Sequence, residues 1–165
     1  MTTTSGVLFI HSTPSALRPH IEWAVSASFG TPIRFLWTRQ PAEPEAWRAE
    51  YTWHDEVGAA VRLVATLRRF ERLRFEVTEE PTATTEGLRF SFTPQLGLFV
   101  ASTNAAGDIV VPEERLRAAL DRDLLGKTKL RDEVNALLGG PWDEELEEFR
   151  YAGEDTPVRW LRQVV

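Results

Sequence analysis

The chain has 165 residues, of which 42% are apolar and 27% charged, and its net charge is −6. That is the length of one domain, long enough to bury a core without staples. It has no cysteine, which excludes disulfides, thiolate metal sites and a cysteine nucleophile.

The opening MTTTSG lacks the basic segment and apolar run of a signal peptide. No apolar run reaches the roughly 18 residues of a membrane helix. The expected address is the cytoplasm, with no membrane contact. Between Pro141 and Asp155 seven acids stand against one base, Arg150, so this segment carries the whole net charge. The rest is neutral, which speaks against general capture of nucleic acid. The bases are nearly all arginine, the exceptions being Lys127 and Lys129.

In chain order, Gly6 to His11 predicts a strand. Val7, Leu8, Phe9 and Ile10 are consecutive and apolar, which suits a central strand covered on both faces. A helix follows, with Leu17, Ile21, Trp23, Ala24, Val25 and Phe29 inward and Gly30 as its stop. It starts either at Thr13-Pro14 or at Pro19. Ile33 to Thr38 and Trp47 to His54 alternate as strands. Glu56 to Phe70 is an amphipathic helix, and Leu73, Phe75 and Val77 mark a fourth strand. This βαββαβ order predicts a ferredoxin-like split βαβ half over residues 1–80, with the first and third strands as parallel neighbours.

Past the Pro81 to Glu86 linker, Leu88 to Phe92 and Leu96 to Thr103 predict strands. Asn104 to Asp108 reads as a hairpin loop, and Ile109 to Val111 as a short strand. Helices are expected from Pro112, from Lys129 to Leu138, and over the acidic segment Trp142 to Phe149. The tail Pro157 to Val165 is too apolar for a free end. The expected fold is a single α+β domain over residues 1–165, with residues 86–165 adding a β-meander and C-terminal helices. Those additions are the candidates to cover the second face of the first strand.

The familiar catalytic motifs are missing: there is no GxGxxG, GxSxG or HExxH. Gly126-Lys127-Thr128 imitates the end of a phosphate loop, but Asp121 stands where the upstream glycine belongs. His20-Ile21-Glu22 imitates a zinc-deaminase HxE without the cysteines such a site needs. The parallel pairing would bring His11-Ser12 and His54-Asp55 to one sheet edge, where two helices begin, with His20 and Glu22 nearby. Imidazoles, a hydroxyl and carboxylates beside helix N-termini suit an anion, a metal or acid–base work. Ordinary capping by Asp55, Ser12 or Thr13 accounts for those residues as well.

Two charged stretches remain. Arg62, Arg68, Arg69, Arg72 and Arg74 span a helix end and a strand start, with Glu71 and Glu76 interleaved, as a solvated face or an acidic-partner contact. Asp143, Glu144, Glu145, Glu147 and Glu148 form an acidic helix. It is suited to solvent, to a basic partner, or to the chain's own arginines in cis or in a homodimer.

Several stretches are unusual in composition: Val7-Leu8-Phe9-Ile10-His11-Ser12, Pro19-His20-Ile21-Glu22-Trp23, Leu73 to Pro81, Trp142 to Glu147, and Phe149 to Glu154 with Pro157 to Leu161. On these the chain resembles the actinobacterial domain of unknown function 3145 family, over almost its full length. The resemblance implies a bacterial cytoplasmic protein and carries no activity, ligand or catalytic residue. The functional expectation is a non-catalytic binding, regulatory or protein-interaction module without a cofactor or metal. The alternative is a small enzyme or an anion- or metal-binding protein using the histidines at the sheet edge.

Overall fold

The computed structural model describes residues 1–151; the apolar tail expected at Pro157 to Val165 lies outside them. The elements are β1 (Thr3–Pro14), a 3-10 turn (Ser15–Leu17), α1 (Arg18–Phe29), β2 (Thr38–Arg39), β3 (Ala46–Glu56), α2 (Ala59–Leu67), β4 (Arg74–Glu79), β5 (Gly87–Thr93), β6 (Gly97–Thr103), β7 (Ile109–Val110), α3 (Glu113–Leu124), α4 (Leu130–Leu137) and α5 (Gly140–Tyr151). The α+β class and the βαββαβ order of the first part hold.

One seven-stranded sheet runs through both halves in the order β2-β3-β1-β4-β5-β6-β7. Every neighbouring pair is antiparallel. The expected parallel pairing of the first and third strands is therefore corrected: β1 and β3 are neighbours, but they run in opposite directions. The reason lies in the connections. A helix that crosses the sheet returns the chain to its starting end. The strands it joins are then parallel and stand one place apart, as β3 and β4 do on either side of β1. The meander from β4 to β7 extends the sheet as expected.

The main core lies between one sheet face and the helices α1 and α2. Leu8 and Ile10 of β1, Phe75 and Val77 of β4, and Phe90 of β5 meet Ile21 and Val25 of α1 and Leu63, Val64 and Leu67 of α2. Each of these strand pairs is two residues apart, the spacing that puts side chains on one face.

Two local features depart from the sequence pattern. Ile33 and Phe35 are buried as expected, yet residues 33–37 are not in the ladder. Their N–H groups go to side chains of α1 instead. Ile33 N–H donates to Ser26 Oγ at 2.8 Å and Phe35 N–H to Glu22 Oε1 at 2.9 Å. Only Thr38 and Arg39 remain to pair with β3. The second departure is the start of α2, expected at Glu56 with Asp55 as cap. The helix begins after Gly58, whose φ is 93°. Its free N–H groups are taken by Glu79 from β4, which accepts from Gly58 N–H at 2.9 Å and Ala60 N–H at 3.0 Å. Pro19 lies in the first turn of α1, where its missing N–H costs nothing; Trp23 of the same helix, expected inward, is exposed, because it lies off the stripe of Ile21, Ala24 and Val25 that meets the sheet.

Gly6 sits where β1 passes under Trp53. A Cβ there would lie 1.9 Å from the Thr78 carbonyl oxygen and 2.2 Å from the Trp53 ring. Gly6→Ala is expected to lower the free energy of unfolding by about 1–3 kcal/mol. Urea denaturation checks this, and an unchanged midpoint would show that the strands have room to move apart.

Candidate functional site

The second face of the sheet is covered by α5, and the contact between them is largely ionic. Phe9 and His11 of β1 point to this side, with ring centroids 6.1 Å apart. Two apolar residues of α5, Leu146 and Phe149, are buried here. Between them the strands present Glu76, Ser91, Arg89 and Arg74.

Glu76 is fully buried at the centre. Its Oε2 lies 2.7 Å from His11 Nε2 and accepts from Arg150 Nε at 2.9 Å. Its Oε1 accepts from Ser91 Oγ at 2.8 Å and from Arg150 Nη2. Arg150 thus grips both carboxylate oxygens as a fork, the strong form of a charge-assisted pair. Its Nη2 also lies 2.9 Å from Asp143 Oδ1, and Arg89 Nη2 approaches the same oxygen at 3.3 Å. Glu76 and Asp143 are therefore matched by Arg150 and Arg89.

A second group surrounds this one. Arg74 donates to Ser12 Oγ at 3.1 Å, Glu43 Oε2 at 3.3 Å and Glu145 Oε1 at 3.4 Å. Its guanidinium stands 4.6 Å from the centre of the Phe149 ring. Thr93 Oγ1 donates to Glu145 Oε2 at 2.9 Å. The buried Gln40 amide donates to the His11 carbonyl at 2.7 Å and the Phe149 carbonyl at 3.1 Å, which ties the β2–β3 loop to both layers. At the start of α5, Trp142 Nε1 donates to the Gly97 carbonyl at 2.9 Å.

Burial alone would raise the pKa of Glu76. The hydrogen bond and charge interaction with His11 and the pairing with Arg150 outweigh it and hold the carboxyl well below its ordinary value. Burial alone would also loosen the proton of Arg150; Glu76 and Asp143 reverse that. Beside the outer group opens a cleft of about 230 Å³, lined in part by Pro14, Glu43, Glu71, Arg72, Arg74 and Pro94. Glu45 on its wall has φ 62°, a left-handed conformation that is strained for a residue with a Cβ.

The expected sheet-edge site does not assemble. The register sets His54 opposite Ser5, six positions along β1 from His11, roughly 20 Å at the rise of a strand. Antiparallel pairing is the cause, because it sends the two strand ends to opposite edges. His11 and Ser12 belong to the α5 contact. They sit where a bulge shifts the register of β1, and bulges re-aim side chains in this way. His54 is exposed, with Nδ1 3.0 Å from Ser5 Oγ. Asp55 accepts from Glu56 N–H at 2.7 Å and from Arg62 at 3.2 Å. His20 is exposed on α1. Glu22 is a structural acceptor, bonded to Phe35 N–H, Trp37 Nε1 and Arg34. Burial would raise its pKa, and these three donors lower it overall.

The acidic helix divides by face. Asp143 and Glu145 turn inward to the chain's own arginines, whereas Glu144, Glu147 and Glu148 are exposed. Of the arginine run, Arg74 is the member that reaches α5. Glu76, Arg89 and Arg150, the centre of the contact, were not singled out from sequence. Among the described residues no group of three His, Asp or Glu is placed to hold a metal ion, and no helix is long and apolar enough to cross a membrane.

The chain belongs to the family described as protein of unknown function (DUF3145), whose pattern matches residues 7–163. No curated protein and no solved structure matches it.

The Glu76 contact sets an acid response with a definite sign. Its folded pKa lies below the ordinary 4.5, so on acidification the unfolded chain takes up the proton first. The stabilisation is complete above that value and is lost as pH falls below it toward the folded pKa. Wild type is expected to lose stability steeply below about pH 4.5. Glu76→Gln should start less stable at pH 7, by about 3–5 kcal/mol, with a shallower acid slope. Urea midpoints taken across pH 3 to 7 check both; equal slopes would show that Glu76 does not titrate against folding.

Proposed function

We propose that the chain is a single-domain, non-catalytic interaction module of the bacterial cytoplasm, which holds α5 in a fixed pose and offers its outer acids to a basic protein partner. The observation that carries this reading is the division of α5. Its inner charges are spent on the sheet, through Asp143 to Arg89 and Arg150 and Glu145 to Arg74. Its outer charges, Glu144, Glu147 and Glu148, face solvent. Exposed acids on a rigid helix steer and orient a basic partner more than they stabilise the fold.

The buried polar groups support the same reading. His11, the one buried histidine, is bound to Glu76 and stacked on Phe9. Glu76 in turn is saturated by His11, Ser91 and Arg150. Groups committed to one another in this way hold structure.

Two variants separate the module from an enzyme built on His11. Glu144→Lys/Glu147→Lys/Glu148→Lys is expected to unfold within about 0.5 kcal/mol per site of wild type and to lose the partner that tagged wild-type protein retains in its host. His11→Gln, which keeps a donor toward Glu76, is expected to retain that partner and to support the host as wild type does. Retention by the triple variant, or loss of host function in a folded His11→Gln protein, would overturn the reading.

A further inference from the structure

The sheet stops short at its β7 edge, and the shortfall opens a second cleft. β7 pairs with β6 through Ser102↔Val110 and Thr103↔Ile109, and there the ladder ends. Continued, it would set Pro112 opposite Val100. Pro112 has no N–H to give, and its carbonyl accepts from Arg115 and Leu116 N–H at 3.0 and 3.3 Å as α3 begins. The cleft left at this place has a volume of about 230 Å³, with Val100, Val110, Val111 and Leu137 of α4 among its walls. Arg115 is the one charged residue that lines it.

The edge of β6 supplies a donor to the same cleft. Asn104 N–H donates to the Asp108 carbonyl at 3.0 Å, across the β6–β7 hairpin. In an antiparallel ladder every second residue turns its N–H and C=O to the same side. Asn104, Ser102 and Val100 therefore direct theirs toward β7. Ser102 meets Val110 there, whereas Val100 meets the cleft, and no described residue takes its N–H. Arg115 stands in the first turn of α3. Glu113 of that turn is bound to Arg117, and Arg115 forms no ion pair with a described residue. Its neighbours three and four positions on, which share its flank of the helix, are the uncharged Ala118 and Ala119.

We propose that this cleft binds a small aliphatic carboxylate. One carboxylate oxygen accepts from the Val100 N–H and the other from the Arg115 guanidinium, while the hydrocarbon tail lies on Val110, Val111 and Leu137. With no acid in its lining the cleft offers a cation nothing to hold. A bare inorganic anion would leave the aliphatic walls uncovered. A mostly apolar hollow with a few convergent donors is how small-molecule sites are built, and bonds from guanidinium or backbone N–H to a carboxylate are of the strong, charge-assisted kind. At about 30 Å³ per water molecule, the cleft has room for roughly eight non-hydrogen atoms, the size of hexanoate. It lies apart from the outer acids of α5, so the inference goes beyond the function proposed above and does not rest on it.

Titration of the full chain with hexanoate, followed by amide NMR, tests this. Saturable shifts are expected at Val100, Val110 and Val111, with a dissociation constant on the order of 1 mM or below. The Val100 amide proton should move downfield as it gains a carboxylate acceptor. Hexanol keeps the tail without the charge, and acetate keeps the charge without the tail; each should bind at least about tenfold more weakly. Arg115→Gln should weaken hexanoate about tenfold, and Arg117→Gln, outside the cleft, should leave it unchanged. Circular dichroism checks that both variants are folded. No saturable shift at the cleft up to about 20 mM hexanoate overturns the proposal, as does hexanol binding as tightly or an Arg115→Gln protein that binds as wild type does. Capture of acetyl-glycyl-leucine about tenfold more tightly than hexanoate would overturn a free acid in favour of the end of another chain.

Discussion

The carboxylate of Glu76 is the constraint on which the second half of the structure depends. It lies at zero exposure in the middle of the sheet, where an unpaired charge would cost several kcal/mol. Its oxygens must therefore be filled, and the residues that fill them come from separate parts of the chain: His11 from β1, Ser91 from β5 and Arg150 from α5. Once Arg150 is committed, α5 has one pose over the strands. Asp143, about two turns earlier, then falls against Arg89, and Glu145 against Arg74. A buried ion cluster is weak evidence for net stability, because desolvation offsets most of its attraction. What it supplies here is placement: an apolar helix face could slide on a sheet, whereas these pairs fix α5 in register.

The two faces of the sheet are thus built by different physics. Beneath α1 and α2, apolar side chains interdigitate, and the helices are held by area removed from water. Beneath α5, Leu146 and Phe149 supply two apolar anchors and ions supply the remainder. The bulge after Ile10 joins the two regimes. It brings Ser12 to the ionic side beside His11, which shares the face of Phe9.

Much of this was legible in the sequence. Val7 to Ile10 pointed to a strand covered on both faces, and α5 is the second cover. The alternation in β4 and β5 gave correct strands, but it did not say what their second face meets. Arg74 and Glu76, or Arg89 and Ser91, alternate with apolar neighbours in the same way whether they meet water or a charged helix. The available signal was adjacency: strands beside a doubly covered one must share its cover. The inner face of α5 was also readable, since Asp143, Leu146 and Arg150 recur at helical spacing. Residues 33–37 show the opposite limit. Their apolar pattern was right, but the capture of their N–H groups by Glu22 and Ser26 is a tertiary event that periodicity does not encode. The histidine site failed for a topological reason, because direction decides which strand ends meet.

The claim that Glu76 and Arg150 act as one unit is tested most directly by a double-mutant cycle on the free energy of unfolding, using Glu76→Leu, Arg150→Met and the pair together. Each single change leaves a buried charge without its main partner and is expected to cost about 3–5 kcal/mol, whereas the double variant should recover to within about 1–2 kcal/mol of wild type. Additive losses in the double variant would contradict the account, for they would mean that the two residues stabilise the fold separately and that α5 is held by something other than their pairing.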